Sequence, residues 1–119
     1  MDLSLNDEQE AFRRLAREFL DKEAVPHRTQ WDRDEAVDLD IVPKMAEIGF
    51  FGLTIPEEYG GLGGDYVTYA LAMEELGRAD SALRGIVSVS SGLVGKSILF
   101  HGTEEQKQEW LPQLAVASK

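Results

Sequence analysis

The sequence predicts an all-α fold, a single bundle of about five helices spanning residues 1–119. Three observations carry this. Apolar side chains recur at three- and four-residue spacing through most of the chain. Capping signals open successive segments, and glycine or proline stands where each should stop. Strand signal is scant: Thr54-Ile55 and the stretch from Ile86 to Val89 hold β-branched residues, but neither alternates over a useful length.

The first helix is predicted to start near Asn6, where Asn6 and Gln9 have the spacing of a capping box. Phe12, Leu15, Ala16, Phe19 and Leu20 then define one apolar stripe. Val25-Pro26 should stop it, because the residue before proline avoids the α region. Asp40 is placed to cap a second helix that tolerates Pro43 in its first turn, buries Ile41, Met45 and Ile48, and ends at Gly49. FFGLTIPEEYGGLGG, Phe50 to Gly64, reads as an irregular loop, since glycine and proline punctuate it throughout. A third helix is expected from about Asp65 to Leu76, with Val67, Ala70, Leu71 and Met73 inward and Gly77 closing it. Asp80 or Ser81 opens a fourth, about 20 residues long and ending at Gly102. Thr103 and Gln106 form a second capping-box pair before the last helix, which Pro112 is expected to bend or end.

Composition narrows the function classes. There is no cysteine, which removes disulfides, thiolate nucleophiles and Cys-based zinc sites together. Twelve basic and 22 acidic side chains leave a formal charge of −10, a balance that repels a nucleic-acid backbone. No apolar run is seen to approach the ~20 residues of a membrane span, and no membrane insertion is expected. The first ten residues lack a basic region followed by an apolar stretch, so a cytoplasmic location is the expectation.

The motifs are weighed on their chemistry. The glycine loop is not preceded by a strand or followed by Gly-Lys-Ser/Thr, so it reads as a tight structural loop rather than a phosphate cradle. Glu57-Glu58, Glu74-Glu75 and Glu104-Glu105 lack a histidine at the spacing a di-metal bundle site needs, and neither His27 nor His101 has a visible partner. No metal ligand is expected. The fourth helix is the unusual element: Gly85, Ser88, Ser90, Ser91, Gly92 and Gly95 crowd one stretch. Small residues there serve either close helix packing or a ligand lying alongside Val89 and Leu93. Arg84 and Ser88, one turn apart, either bind an anionic group together or leave Arg84 paired at the surface with Asp80.

Taken as an ordered set, these segments resemble the acyl-CoA dehydrogenase family. The resemblance runs through Glu23-Ala24-Val25-Pro26, Trp31-Asp32-Arg33, Ile48-Gly49-Phe50 and IPEEYGGLGG from Ile55. It continues through MEELGRADS from Met73, SVSSGLV from Ser88 and HGTEEQKQEWLPQL from His101, nearly the whole chain. It implies the N-terminal helical domain of an enzyme that desaturates the Cα–Cβ bond of acyl-CoA thioesters. That enzyme uses FAD, an electron-transfer partner and a catalytic glutamate in a C-terminal domain.

The resemblance implies that the middle β domain would begin just after Leu114 and is absent, with the C-terminal helical domain, from residues 1–119. No catalytic or cofactor-binding residue is then expected in this chain, and the piece alone should be inactive. What the family's N-terminal domain supplies is one wall of the acyl pocket. That carries over onto Val89 and Leu93, with Ser88 and Gly92 as neighbours. Arg84 and Ser88 also resemble the pair with which glutaryl-CoA dehydrogenases hold a distal carboxylate, although Gly77 stands where those enzymes have an acid. A homo-oligomer is implied, and an isolated domain should self-associate through its exposed face. The alternative is a free-standing, non-catalytic helical interaction module derived from the same domain.

Overall fold

Asn6 opens the first helix with the reciprocal cap that its spacing predicts. Its side chain accepts from the Gln9 N–H at 2.8 Å, and the Gln9 side chain accepts from the Asn6 N–H at 2.9 Å. The computed structural model describes residues 2–118, and α1 runs over Asp7–Glu23. Ala16 and Leu20 are buried, while Phe12 and Phe19 lean their ring edges on Phe50 at 5.9 and 6.1 Å. Leu15 departs from the expected stripe. It is 45% exposed, because the buried face is narrow and Leu15 lies about 100° round from Ala16.

A tight turn, Val25–His27, follows and leads into α2, Arg28–Asp34. This helix carries no periodic signal: seven residues are too few for periodicity, and only Trp31 is buried. α3 spans Ile41–Ile48 with Pro43 in its first turn, and Gly49 ends it at φ 101°. Asp40 occupies the N-cap position, but its side chain makes no capping bond.

The glycine segment is irregular, as expected, yet its first half is core. Phe50, Phe51, Leu53, Thr54, Ile55 and Tyr59 are buried, and Glu57–Tyr59 forms one tight turn. The second half folds back on the first. The N–H groups of Leu62, Gly63 and Gly64 donate to the carbonyls of Gly52, Ile55 and Leu53 at 2.8, 2.9 and 2.6 Å.

α4, Tyr66–Ala79, is capped by Asp65, whose carboxylate accepts from the Thr68 N–H at 2.7 Å and from the Gln9 side chain at 3.0 Å. Those bonds, the Thr68 backbone foremost, hold the Asp65 pKa below the usual carboxylate value. Leu71, Ala72, Glu75, Leu76 and Ala79 face inward; Val67 and Ala70 are exposed, contrary to expectation. Gly77 does not close the helix, which runs on to Ala79.

The long fourth helix is present from Ser81 to His101 in three joined parts: α5 (Ser81–Val87), a π-helical segment (Ser88–Gly95) and α6 (Lys96–His101). Asp80 caps it by accepting from the Ala82 N–H at 2.8 Å. At 21 residues it is long and apolar enough to cross a bilayer by length and composition, so the expectation that no run approaches that size is corrected. It nevertheless carries Arg84 and Lys96 and packs an inner line of Leu83, Val87, Ser91 and Gly95 into the domain. α7, Glu104–Ala115, opens with the second predicted capping box and continues through Pro112.

Two apolar clusters result. The larger joins α1, α3, α4 and α5 around Phe50, Phe51 and Leu53; the smaller seats Leu111, Leu114 and Ala115 of α7 on Ile55 and Tyr59. The five predicted helices are all there, α2 is additional, and the described residues contain no strand.

Candidate functional site

The carboxylates are occupied in holding the fold. Glu75 is buried between α1 and α4, 3.1 Å from Arg17 and 3.2 Å from Arg78, which also reaches Asp21 at 2.7 Å. Glu104 accepts from the Tyr59 hydroxyl at 3.0 Å and from Gln108 at 2.9 Å. Those two donors, Gln108 first, lower its pKa, while burial and then the Glu104 contact push the Tyr59 phenol up. Glu57 and Glu58 are exposed. His27 stacks on Trp31 at 5.8 Å, and His101 is the exposed last residue of α6.

The glycine-rich half of the loop offers a phosphate no free run of N–H groups. Its N–H groups from Gly60 to Gly64 are all bonded to backbone carbonyls of the same loop. A Cβ on Gly61 would stand 2.0 Å from the Ile55 carbonyl oxygen, so this glycine serves the chain crossing itself.

The small-residue helix is different. At its inner side Ser91 is buried and donates to the Val87 carbonyl at 3.1 Å. At its outer side Val89 and Leu93 are 54% and 63% exposed, four residues apart on one face. Ser88 is half-buried and donates to the Gly85 carbonyl at 3.2 Å. Arg84 is exposed and makes no ion pair among the described residues. The pairing with Asp80 is thus not formed; that carboxylate is taken up by its cap. Arg84's stem instead lies over α4, where a Cβ on Gly77 would meet Arg84 Cδ at 3.5 Å. Arg84, Ser88, Val89, Gly92 and Leu93 all come from this one helix, and none of them lines the grooves elsewhere. One of those grooves runs under Val94, Ile98, His101 and Trp110, and another passes beside Trp31 and Asp32.

Three side chains near this helix were not foreseen. Lys96 donates to the Thr54 carbonyl at 2.9 Å and stands 5.2 Å from the Tyr66 ring and 5.6 Å from the Phe100 ring, which ties the loop to the helix. Tyr66 and Phe100 are largely exposed around it. Tyr69 brings its hydroxyl against Gly92. Only the density of small residues hinted at such close approaches, and that pattern does not say which side chain approaches.

Fold and face together define an all-helical scaffold domain with one apolar helix face left open. The family model described as "Acyl-CoA dehydrogenase, N-terminal domain" matches residues 6–118, and the chain belongs to the acyl-CoA dehydrogenase family. It is 40% identical over 119 residues to the short-chain specific acyl-CoA dehydrogenase of Clostridium acetobutylicum, covering 100% of this chain and 31% of that protein. Among solved structures it resembles butyryl-CoA dehydrogenase from Megasphaera elsdenii with a TM-score of 0.94 and 34% identity, covering 100% of this chain and 32% of that one. It also resembles a glutaryl-CoA dehydrogenase from Mycobacterium smegmatis in complex with FADH2. There the TM-score is 0.90 with 32% identity, over 96% of this chain and 29% of that one. The chain therefore spans about a third of the length of these relatives.

Proposed function

We propose that this chain is the N-terminal helical part of a flavin-dependent acyl-CoA dehydrogenase and that its long helix supplies one wall of the acyl pocket. The observation that carries the reading is the open face of Val89 and Leu93. Two large apolar side chains stand outward on a helix of the matched domain, where an acyl chain would gain from their contact. The whole enzyme would oxidise the Cα–Cβ bond of an acyl-CoA and pass the electrons to a separate protein. FAD in the complete enzyme would be held by residues outside this chain; the loop's N–H groups from Gly60 to Gly64 are already taken by its own carbonyls. The catalytic base would also lie outside it, since the glutamates described above hold the fold or stand free at the surface. A homo-oligomeric, cytoplasmic enzyme is the setting this reading supposes.

The narrower reading is an acyl group with a distal carboxylate, held by Arg84 and Ser88. Its support is the Arg84 guanidinium, exposed and without an acidic partner among the described residues, one turn from the Ser88 hydroxyl. A neutral tail would leave that charge unanswered.

Both readings are tested on the protein that continues beyond Lys119. It should purify with flavin absorbance and oxidise butyryl-CoA, while the 119-residue chain alone should do neither. Colourless, inactive longer protein would overturn the first reading. Arg84→Met should lower activity on glutaryl-CoA relative to butyryl-CoA by at least roughly tenfold, the scale of one lost charge-assisted bond. An unchanged ratio sinks the second.

A further inference from the structure

Glycine inside a helix costs stability, so each one in α4 and the long helix asks for a reason. At three of them an added Cβ would meet a neighbour. It would stand 3.5 Å from Arg84 Cδ at Gly77, 2.8 Å from the Tyr69 hydroxyl at Gly92 and 3.4 Å from the Ser90 carbonyl at Gly95. At Gly85 it would find nothing within 4 Å. Gly85 is also neither a cap nor in the left-handed region, since it lies inside α5 in mid-helix. Packing within the described residues accounts for Gly77, Gly92 and Gly95 and leaves Gly85 without a structural reason.

Gly85 stands four residues before Val89, which stands four before Leu93, so the three share one side of the long helix. The two ends of this strip differ. Beyond Leu93 comes Lys96, half-buried, whose ammonium donates to the Thr54 carbonyl at 2.9 Å beside the exposed rings of Tyr66 and Phe100. An apolar chain continuing that way would take water from the remaining ammonium protons and offer them no acceptor. Toward Gly85 there is no such obstacle. The stem of Arg84 leans aside over α4 at Gly77, and the helix surface at Gly85 is bare backbone. The strip from Leu93 to Gly85 is about 12 Å long at helical rise.

We propose that Gly85 is a specificity-determining residue of the acyl wall: the acyl chain lies with its thioester end toward Leu93 and its far end over Gly85, whose missing side chain admits acyl groups longer than butyryl. The inference rests on the reading of this face as acyl wall and adds to it a direction and a length limit.

In the longer, flavin-containing protein, Gly85→Leu should lower kcat/KM for hexanoyl-CoA relative to butyryl-CoA by roughly tenfold or more, because the last methylenes lose their place on the wall. Gly85→Ala should lower the same ratio by a smaller factor. The 119-residue chain supplies a second readout. There neither substitution should lower the melting temperature, and Gly85→Ala should raise it by about 3 °C, since alanine is the better helix former and nothing stands close to Gly85. A ratio left unchanged by Gly85→Leu, in a protein that oxidises both substrates, overturns the proposal and leaves the acyl wall standing. A lower melting temperature for either variant overturns it as well, because the glycine would then serve packing. If the wild-type protein oxidises no acyl-CoA, the acyl-wall reading itself fails and this inference goes with it.

Discussion

Replacing Gly61 with alanine is expected to abolish the cooperative folding of this domain. The new methyl carbon would lie 2.0 Å from the Ile55 carbonyl oxygen, 2.5 Å from its carbon and 2.6 Å from the Ile55 Cβ. None of these is a flexible side-chain end that could swing aside. The two halves of the loop are pinned by the bonds from Leu62, Gly63 and Gly64, so relieving the clash means breaking them and unseating Leu53 and Ile55. A domain of this size is stable by roughly 6–18 kcal/mol, and lost loop packing on this scale consumes most of that. Circular dichroism should show a broad or absent melting transition. Gly85→Ala is the control: it meets no neighbour within 4 Å and should add about 0.5–1 kcal/mol through helix propensity. A sharp transition for Gly61→Ala within a few degrees of wild type would show that the crossing is not as tight as described.

Phe50→Ala should give the next largest loss, about 3–5 kcal/mol, the usual range for truncating a buried phenylalanine. Phe50 is fully buried, and Phe12 and Phe19 of α1 rest their rings against it, so the cavity would open at the seam of α1, α3 and α4. Surrounding helices held by their own caps cannot collapse into such a hole without losing other contacts. The midpoint of thermal unfolding should fall by roughly 15–25 °C. Leu15→Ala, on the exposed side of α1, should stay within about 0.5 kcal/mol of wild type. Equal effects of the two substitutions would contradict this account of the core.

Both substitutions fall at the junction the sequence describes least well. Helix starts are legible where Asn6, Thr103 and Asp80 act within three residues of themselves and make the expected bonds; Asp65 caps α4 in the same way, while Asp40 makes no capping bond. Local chemistry of that kind survives without knowledge of the partner helices. What escaped depends on distant neighbours. Val67 and Ala70 have helical spacing but face outward, because α1 meets α4 along Leu71, Ala72, Glu75 and Leu76 instead. α2 contributes one buried side chain and therefore no period. The face of Val89 and Leu93 is legible only through resemblance; the spacing of residues alone leaves it level with simple packing. The Tyr69–Gly92 contact crosses 23 positions and has no signature that one sequence can display.

The self-crossing loop also bears on how the domain opens. Leu53 belongs to the larger apolar cluster, while Ile55 and Tyr59, two and six residues on, belong to the smaller. One short stretch of backbone thus fastens α7 to the rest of the chain. The amide protons of Leu62, Gly63 and Gly64, though outside any regular helix, should exchange with deuterium as slowly as those in the middle of α4. Their acceptors sit between Leu53 of one cluster and Ile55 of the other, so slow exchange there would report that the seam between the clusters stays shut in the native state.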